Sequence, residues 1–111
     1  MSKSALYYLL GGVVAAPAVG ANIDLVSDGN TQALKAVQAT VTGTGAVSAT
    51  VIIEAINNPA SGNWLTLATI TLTGTTAATD GFTFDAPWSY VRARLTAISG
   101  TGASVTASMG V

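Results

Sequence analysis

From Ala33 to the end of the chain, apolar side chains recur at every second position, and that period belongs to β-strands rather than helices. It is cleanest between Trp88 and Ile98. There Val91, Ala93, Leu95 and Ala97 fall on one side of an extended backbone, and Trp88, Tyr90, Arg92 and Arg94 on the other. Val37, Ala39 and Val41 share a face in an earlier strand, opposite Gln38, Thr40 and Thr42, while Ala103, Val105, Ala107 and Met109 form the inward set of the last strand. Within Val47 to Ile56 the alternation gives way to Val51-Ile52-Ile53, which suits a central strand covered on both faces. Leu65 and Leu67 occupy the opposite parity from Ile70 and Leu72, so the strand from Trp64 to Leu72 needs a bulge or bend near Ala68. Helical period is confined to a turn or two near Tyr7.

The strands are punctuated by small residues. The related phrases Thr42-Gly43-Thr44-Gly45-Ala46 and Ser99-Gly100-Thr101-Gly102-Ala103 read as hairpin turns, and Gly74 to Gly81 as a soft loop. Asn57-Asn58-Pro59-Ala60-Ser61-Gly62 is the clearest loop, because its proline cannot donate to a ladder. Phe82 and Phe84 form a short strand ended by Pro87. Six or so short strands of this kind imply an all-β chain, an antiparallel β-sandwich for which the jelly roll is one available form. At 111 residues there is one such domain, over residues 31–111, preceded by an extended apolar N-terminal arm over residues 1–30.

The arm carries no charge from Ala5 to Ala21 and follows Lys3 much as the apolar part of a secretion signal does, with small residues at Ala16, Ala18, Gly20 and Ala21. Gly11, Gly12, Pro17 and Gly20 make it a poor and short membrane span. The arm is expected to be retained in the mature chain. An ordered apolar terminus must pack on something, and a partner or a sister subunit is the expected surface.

Composition narrows the function. Charged residues make up 8% of the chain, against about 25% in an ordinary domain. The surface is therefore built from Thr, Ser, Gly, Asn and Ala, which tolerate water but do little to hold neighbouring molecules apart. Such a surface suits permanent contact. With a net charge of -1 there is no basic field for nucleic acid and no polybasic patch for an anionic membrane. Cysteine and histidine are both absent, which removes disulfides, thiolate zinc sites, cysteine nucleophiles and the commonest general base. Paired carboxylates remain. Asp80 and Asp85 bracket Gly81-Phe82-Thr83-Phe84, however, and read as the solvated ends of a strand rather than a catalytic pair. A calcium loop aligned on Gly29 would place Val26 at its third position and Lys35 at its twelfth, so it fails. The Gly-Thr-Gly turns open no helix and so lack a phosphate loop's dipole. The chain is expected to be non-enzymatic, with no metal and no cofactor.

One arrangement has binding character. Trp88, Tyr90, Arg92 and Arg94 share a face, and aromatics with arginine are the types enriched at interface hot spots. Two readings stay open: a docking stripe, or an end-cap in which Trp88 and Tyr90 close the core while the arginines are solvated or pair with Glu54 or Asp85. Trp64, after the polar loop, carries the same ambiguity.

Glu54-Ala55-Ile56-Asn57, Asn63-Trp64-Leu65-Thr66-Leu67 and Ala86-Pro87-Trp88-Ser89-Tyr90-Val91-Arg92-Ala93, continuing to Gly100-Thr101-Gly102-Ala103, resemble phrases of small phage virion proteins, over roughly residues 45–111. Small size and an apolar arm are most similar to the capsid decoration, cement or stapling proteins of short-tailed phages. The resemblance implies a protein on the outer surface of an icosahedral phage head, assembled in the host cytoplasm, that fastens neighbouring major capsid protein subunits across capsomer junctions. A small homo-oligomer, dimer rather than trimer, is expected. Its contacts would be Tyr7, Tyr8, Leu9 and Leu10 of the arm, a role that rests on composition alone, together with Trp64, Trp88, Tyr90, Arg92 and Arg94. The alternatives are a tail- or fibre-associated protein or a carbohydrate-binding module stacking sugars on Trp64, Trp88 and Tyr90. A small hydrolase would need Asp80 or Asp85.

Overall fold

The computed structural model describes residues 6–26, 34–85 and 88–111. Its strands are β1 (Leu6–Val14), β2 (Ala18–Val19), β3 (Ile23–Asp24), β4 (Lys35–Ile56), β5 (Leu65–Phe84) and β6 (Tyr90–Gly110), with a 3₁₀ turn at Pro59–Ser61. All pairing is antiparallel, in the order β1-β6-β4-β5, with β2 and β3 also along β6. The fold is an all-β antiparallel sandwich.

It is made in an economical way. Fully extended, the 22 residues of β4 would span about 70 Å at the usual rise, whereas the longest dimension of the molecule is 43 Å. The long strands therefore bend, and they bend together. Residues 35–42 of β4 pair with 77–84 of β5 and 104–110 of β6; after a slip in register, residues 46–56 pair with 65–75 and 90–99. One sheet thus folds over into two layers. β1 extends the first beside residues 105–110, and β2 and β3 extend the second beside residues 90–95. Val37, Val41, Val105 and Met109 from the first layer and Val51, Ile53, Val91 and Leu95 from the second are buried in a single core between them.

The Gly-Thr-Gly phrases are not hairpin turns, and Gly74 to Gly81 is not a loop. All three lie inside continuous strands; the two Gly-Thr-Gly phrases and Gly74–Thr76 sit at the corner where the sheet turns over, and residues 77–81 run on into the first layer. Glycine does the work that a turn would have required of it, but for a different end. A Cβ on Gly43 would come 2.8 Å from Val47 Cγ1, and one on Gly100, where φ is +122°, would come 2.9 Å from the same atom. Val47, itself buried, fills the space that these two glycines leave on neighbouring strands. β5 turns the same corner with Thr76 at a positive φ of 66°.

Two bulges set the phase of the second layer. Ile53 pairs with Ala68 but Glu54 with Thr66, so Leu67 is the extra residue, one position from where the conflicting leucine parities place it. Thr50 pairs with Ala97 and Val51 with Leu95, which makes Thr96 a second. Ala97, expected inward with Leu95, is consequently exposed, and Ile98 packs on the core instead. The loop at 57–62 is as expected, with the Asn58 carboxamide accepting from the Ala60 N–H at 3.1 Å.

The N-terminal segment is extended, with no helical turn at Tyr7. It pairs along the chain's own β6, and Leu25 beyond it is fully buried. The described part of residues 1–30 therefore belongs to the sandwich. The corner yields a direct expectation. Gly100→Ala should cost about 1–3 kcal/mol in urea unfolding, from a strained φ and clashes with the Ala46 carbonyl oxygen and the Val47 side chain, whereas Gly110→Ala, with open space around its Cβ, should change stability by less than about 0.5 kcal/mol.

Candidate contact surface

The outer face of the second layer gathers most of the polar chemistry. β4 and β6 place Glu54 directly opposite Arg92, and the two-residue period puts Arg94 on the same face. Arg92 Nε donates to Glu54 Oε1 at 2.9 Å, and Arg94 Nη2 donates to Oε2 at 3.2 Å. One carboxylate, only 5% exposed, thereby holds two guanidiniums. Trp64, at the mouth of β5, lies against Arg92, whose guanidinium carbon is 4.0 Å from the ring centroid. Arg94 Nε is buried without an acceptor among the described residues. Within the trio on this plateau, two guanidiniums share one carboxylate.

The rest of the stripe turns inward or sideways. Tyr90 donates its hydroxyl to Asp24 Oδ2 of β3 at 3.3 Å, and the Asp24 charge, with some desolvation, raises the phenol above its ordinary value. Trp88 is half-buried and packs on the core. Ser89 donates its N–H and its hydroxyl to Asn57 Oδ1, at 3.3 and 3.4 Å, tying the start of β6 to the end of β4. The structure thus divides the stripe. Trp88 caps the core, Tyr90 is tethered, and Arg92 and Arg94 form, with Trp64 and Glu54, a fixed surface that reaches solvent. Leu65, 51% exposed, lies next to it.

The expected arm contacts divide as well. Leu9 and Leu10, expected among the arm's contacts, are buried in the core, at 0% and 2% exposure. The cause is a bulge: Tyr8 pairs with Ser108 and Leu10 with Ala107, so Leu9 is inserted and two consecutive leucines end up covered. Tyr7 is half-buried against the core, and Tyr8 stands out at 62% exposure, two positions from an equally exposed Leu6.

Nothing in the sequence marks Lys35 as special, although its parity with Val37, Ala39 and Val41 places it on the core side. Its side chain is buried, with Nζ 5.6 Å from the Phe84 ring centroid, beside an open apolar hollow of about 440 Å³ lined by Leu34, Ala36, Thr83, Gly110 and Val111. Burial lowers its pKa from the ordinary 10.5, and the Asp85 charge partly opposes that shift. Asp80 accepts from the Gly81 N–H at 2.8 Å on an exposed stretch of β5. No cluster of three or more metal-ligating side chains occurs among the described residues, and no helix there is long and apolar enough to cross a membrane.

No known protein family and no curated protein matches the chain. Among solved structures, the crystal structure of PBSX exported protein XepA is similar with probability 1.00 and a TM-score of 0.53, at 12% sequence identity. The likeness covers 96% of this chain and 36% of that one, so the chain spans about a third of its structural neighbour. At that identity the shared property is the sandwich fold.

Two expectations follow. Glu54→Ala leaves two half-buried guanidiniums without their carboxylate and should cost about 2–4 kcal/mol by chemical denaturation, less than a wholly buried pair because both arginines reach water. For Lys35, the unfolded chain holds its proton up to the ordinary value while the folded chain releases it lower, so folding stability should rise with pH through the window between the two. Tyr90 works the other way near its ordinary pKa of 10.0, because the unfolded phenol ionises first. Urea midpoints compared from neutral pH towards pH 10.0 should therefore climb in the native chain relative to Lys35→Met. Parallel curves would contradict the burial of a charged lysine.

Proposed function

We propose that this chain is a non-enzymatic phage structural protein that decorates the outer surface of the capsid and staples neighbouring major capsid protein subunits. One observation carries the reading. Of the phrases that resemble virion proteins, Glu54–Asn57 and Asn63–Leu67 flank one loop and the start of β6 comes only after the whole of β5, yet all three converge at one end of the second layer, where Glu54, Trp64 and Arg92 meet. The fold likeness to the phage PBSX exported protein XepA supports the wider phage assignment.

The half-strand order supports the jelly-roll form of the sandwich. One layer runs β1, late β6, early β4, late β5; the other runs β2 with β3, early β6, late β4, early β5. That is eight segments in two four-stranded layers. Around such a body, the plateau offers a large aromatic and an arginine whose side chains are already held in place, so little rotamer freedom is lost on docking. Stapling is then thermodynamic. Each copy that binds only the assembled shell stabilises it by linkage, and a copy that spans two subunits raises the cost of separating them. No cofactor has a part in this. A sugar platform fits less well, since Arg92 covers one face of Trp64, Trp88 packs on the core and Tyr90 is tethered to Asp24.

Purified particles lacking this protein should lose resistance to heat or chelator, and adding it back should restore that resistance. A Trp64→Ala protein that unfolds normally but binds poorly should restore less. Resistance unchanged by its removal would reject the stapling role.

A further inference from the structure

The two outer edges of the sandwich are treated very differently. On the β1 side, pairing slips twice along β1, and among the described residues the second layer is edged by two strands of two residues each, the first directly after Pro17. Slips, short strands and proline are the usual defences of an exposed edge. The opposite edge is β5, which is 20 residues long and contains no proline, lysine or arginine. Among the described residues it is hydrogen-bonded only to β4. Its single charge, Asp80, accepts from the N–H of Gly81, so this half of the edge carries its own block. The other half, Ala68 to Gly74, lies between the Leu67 bulge and the corner, carries no charge and, among the described residues, has no block.

That half is also complementary to itself. A two-fold axis at Thr71 would pair Thr69 with Thr73, Ile70 with Leu72 and Ala68 with Gly74 of a second copy. Parity is preserved by such a pairing. The buried Ile70 and Leu72 continue the core face, the exposed Thr69, Thr71 and Thr73 form an outer threonine ladder, and no like charges meet. We infer that the chain forms a symmetric dimer in which residues 68–74 of β5 pair antiparallel with the same residues of a second copy, joining two second layers into one continuous sheet. This names a surface for self-association and does not depend on the capsid reading, which is tested on particles.

Sedimentation equilibrium of the full chain should give a dimer. Thr69→Lys with Thr73→Lys sets lysines opposite lysines while changing only solvent-facing side chains. It should weaken association by about tenfold or more and leave urea unfolding cooperative. Mixing it with Thr69→Glu plus Thr73→Glu should restore the dimer. Because the chain has no cysteine, Thr71→Cys should oxidise to a covalent dimer, as the two-fold places this residue opposite itself within disulfide reach, and Thr83→Cys should not. Amide exchange should show protection at the edge-facing amides of 68–74 that the lysine variant loses. A native chain that remains monomeric, with those amides exchanging freely, overturns the inference and leaves the edge for a strand of another protein. A lysine variant that is still fully dimeric overturns it too.

Discussion

The ladder that β4 keeps with both neighbours while all three turn a corner is the constraint on which the rest of this molecule depends. A sandwich built from separate sheets can adjust one layer against the other. Here the same strands feed both layers, so the register that buries Val37 and Val41 in one also fixes Val51 and Ile53 in the other. The turn is possible because Gly43 and Gly100, on adjacent strands, leave room for a single Val47 side chain. Small residues at one place and a β-branched residue between them convert a flat ladder into two packed faces.

The contact plateau inherits that precision. Glu54 meets Arg92 because they are cross-strand partners, and Trp64 lies over Arg92 because the hairpin through residues 57–64 brings the start of β5 back beside β4. The bulge at Leu67 supplies the local slip between Ile53 and Glu54, and the bulge at Thr96 lies just beyond Arg94. The arrangement of these side chains is a product of register rather than of loop shape. The side chains are held on strands whose other faces are core.

That origin also explains what the amino-acid pattern discloses and what it hides. Period-two alternation depends only on neighbours in sequence, so the inward sets around Val37, Val91 and Val105 are readable directly, and the parity conflict among Leu65, Leu67, Ile70 and Leu72 betrays its bulge within one residue. The slip at Thr96 leaves no such mark, because Ala97 and Ile98 are both apolar and either could face in. Leu9 and Leu10 break the alternation at the inserted residue of β1, which makes a strand look like a featureless apolar arm. Gly-Thr-Gly is compatible with a hairpin and with a corner. What separates the two is whether the same partners resume on the far side, and that information lies some fifty residues away in the chain, in the pairing of Thr44 with Thr101 and Ser48 with Ser99. The stripe of Arg92 and Arg94 is legible by parity, but its dependence on Glu54 is a matter of long-range register.

The sparse charge acquires a meaning once the partners are known. Glu54, Arg92 and Arg94 are spent on one another, Asp24 accepts from Tyr90, Asp80 accepts from the backbone of Gly81, and Lys35 is buried. Among the described residues the charges serve the fold more than they serve hydration. What remains outside is largely hydroxyl, amide and methyl, as in the cross-strand Thr40–Thr79 and Ser48–Ser99 pairs. Contacts made through such groups have no long-range field to steer or repel a partner, and salt does little to screen them. They are slow to be found and indifferent to ionic strength once made. Those properties suit a surface that meets its neighbours during assembly and then keeps them.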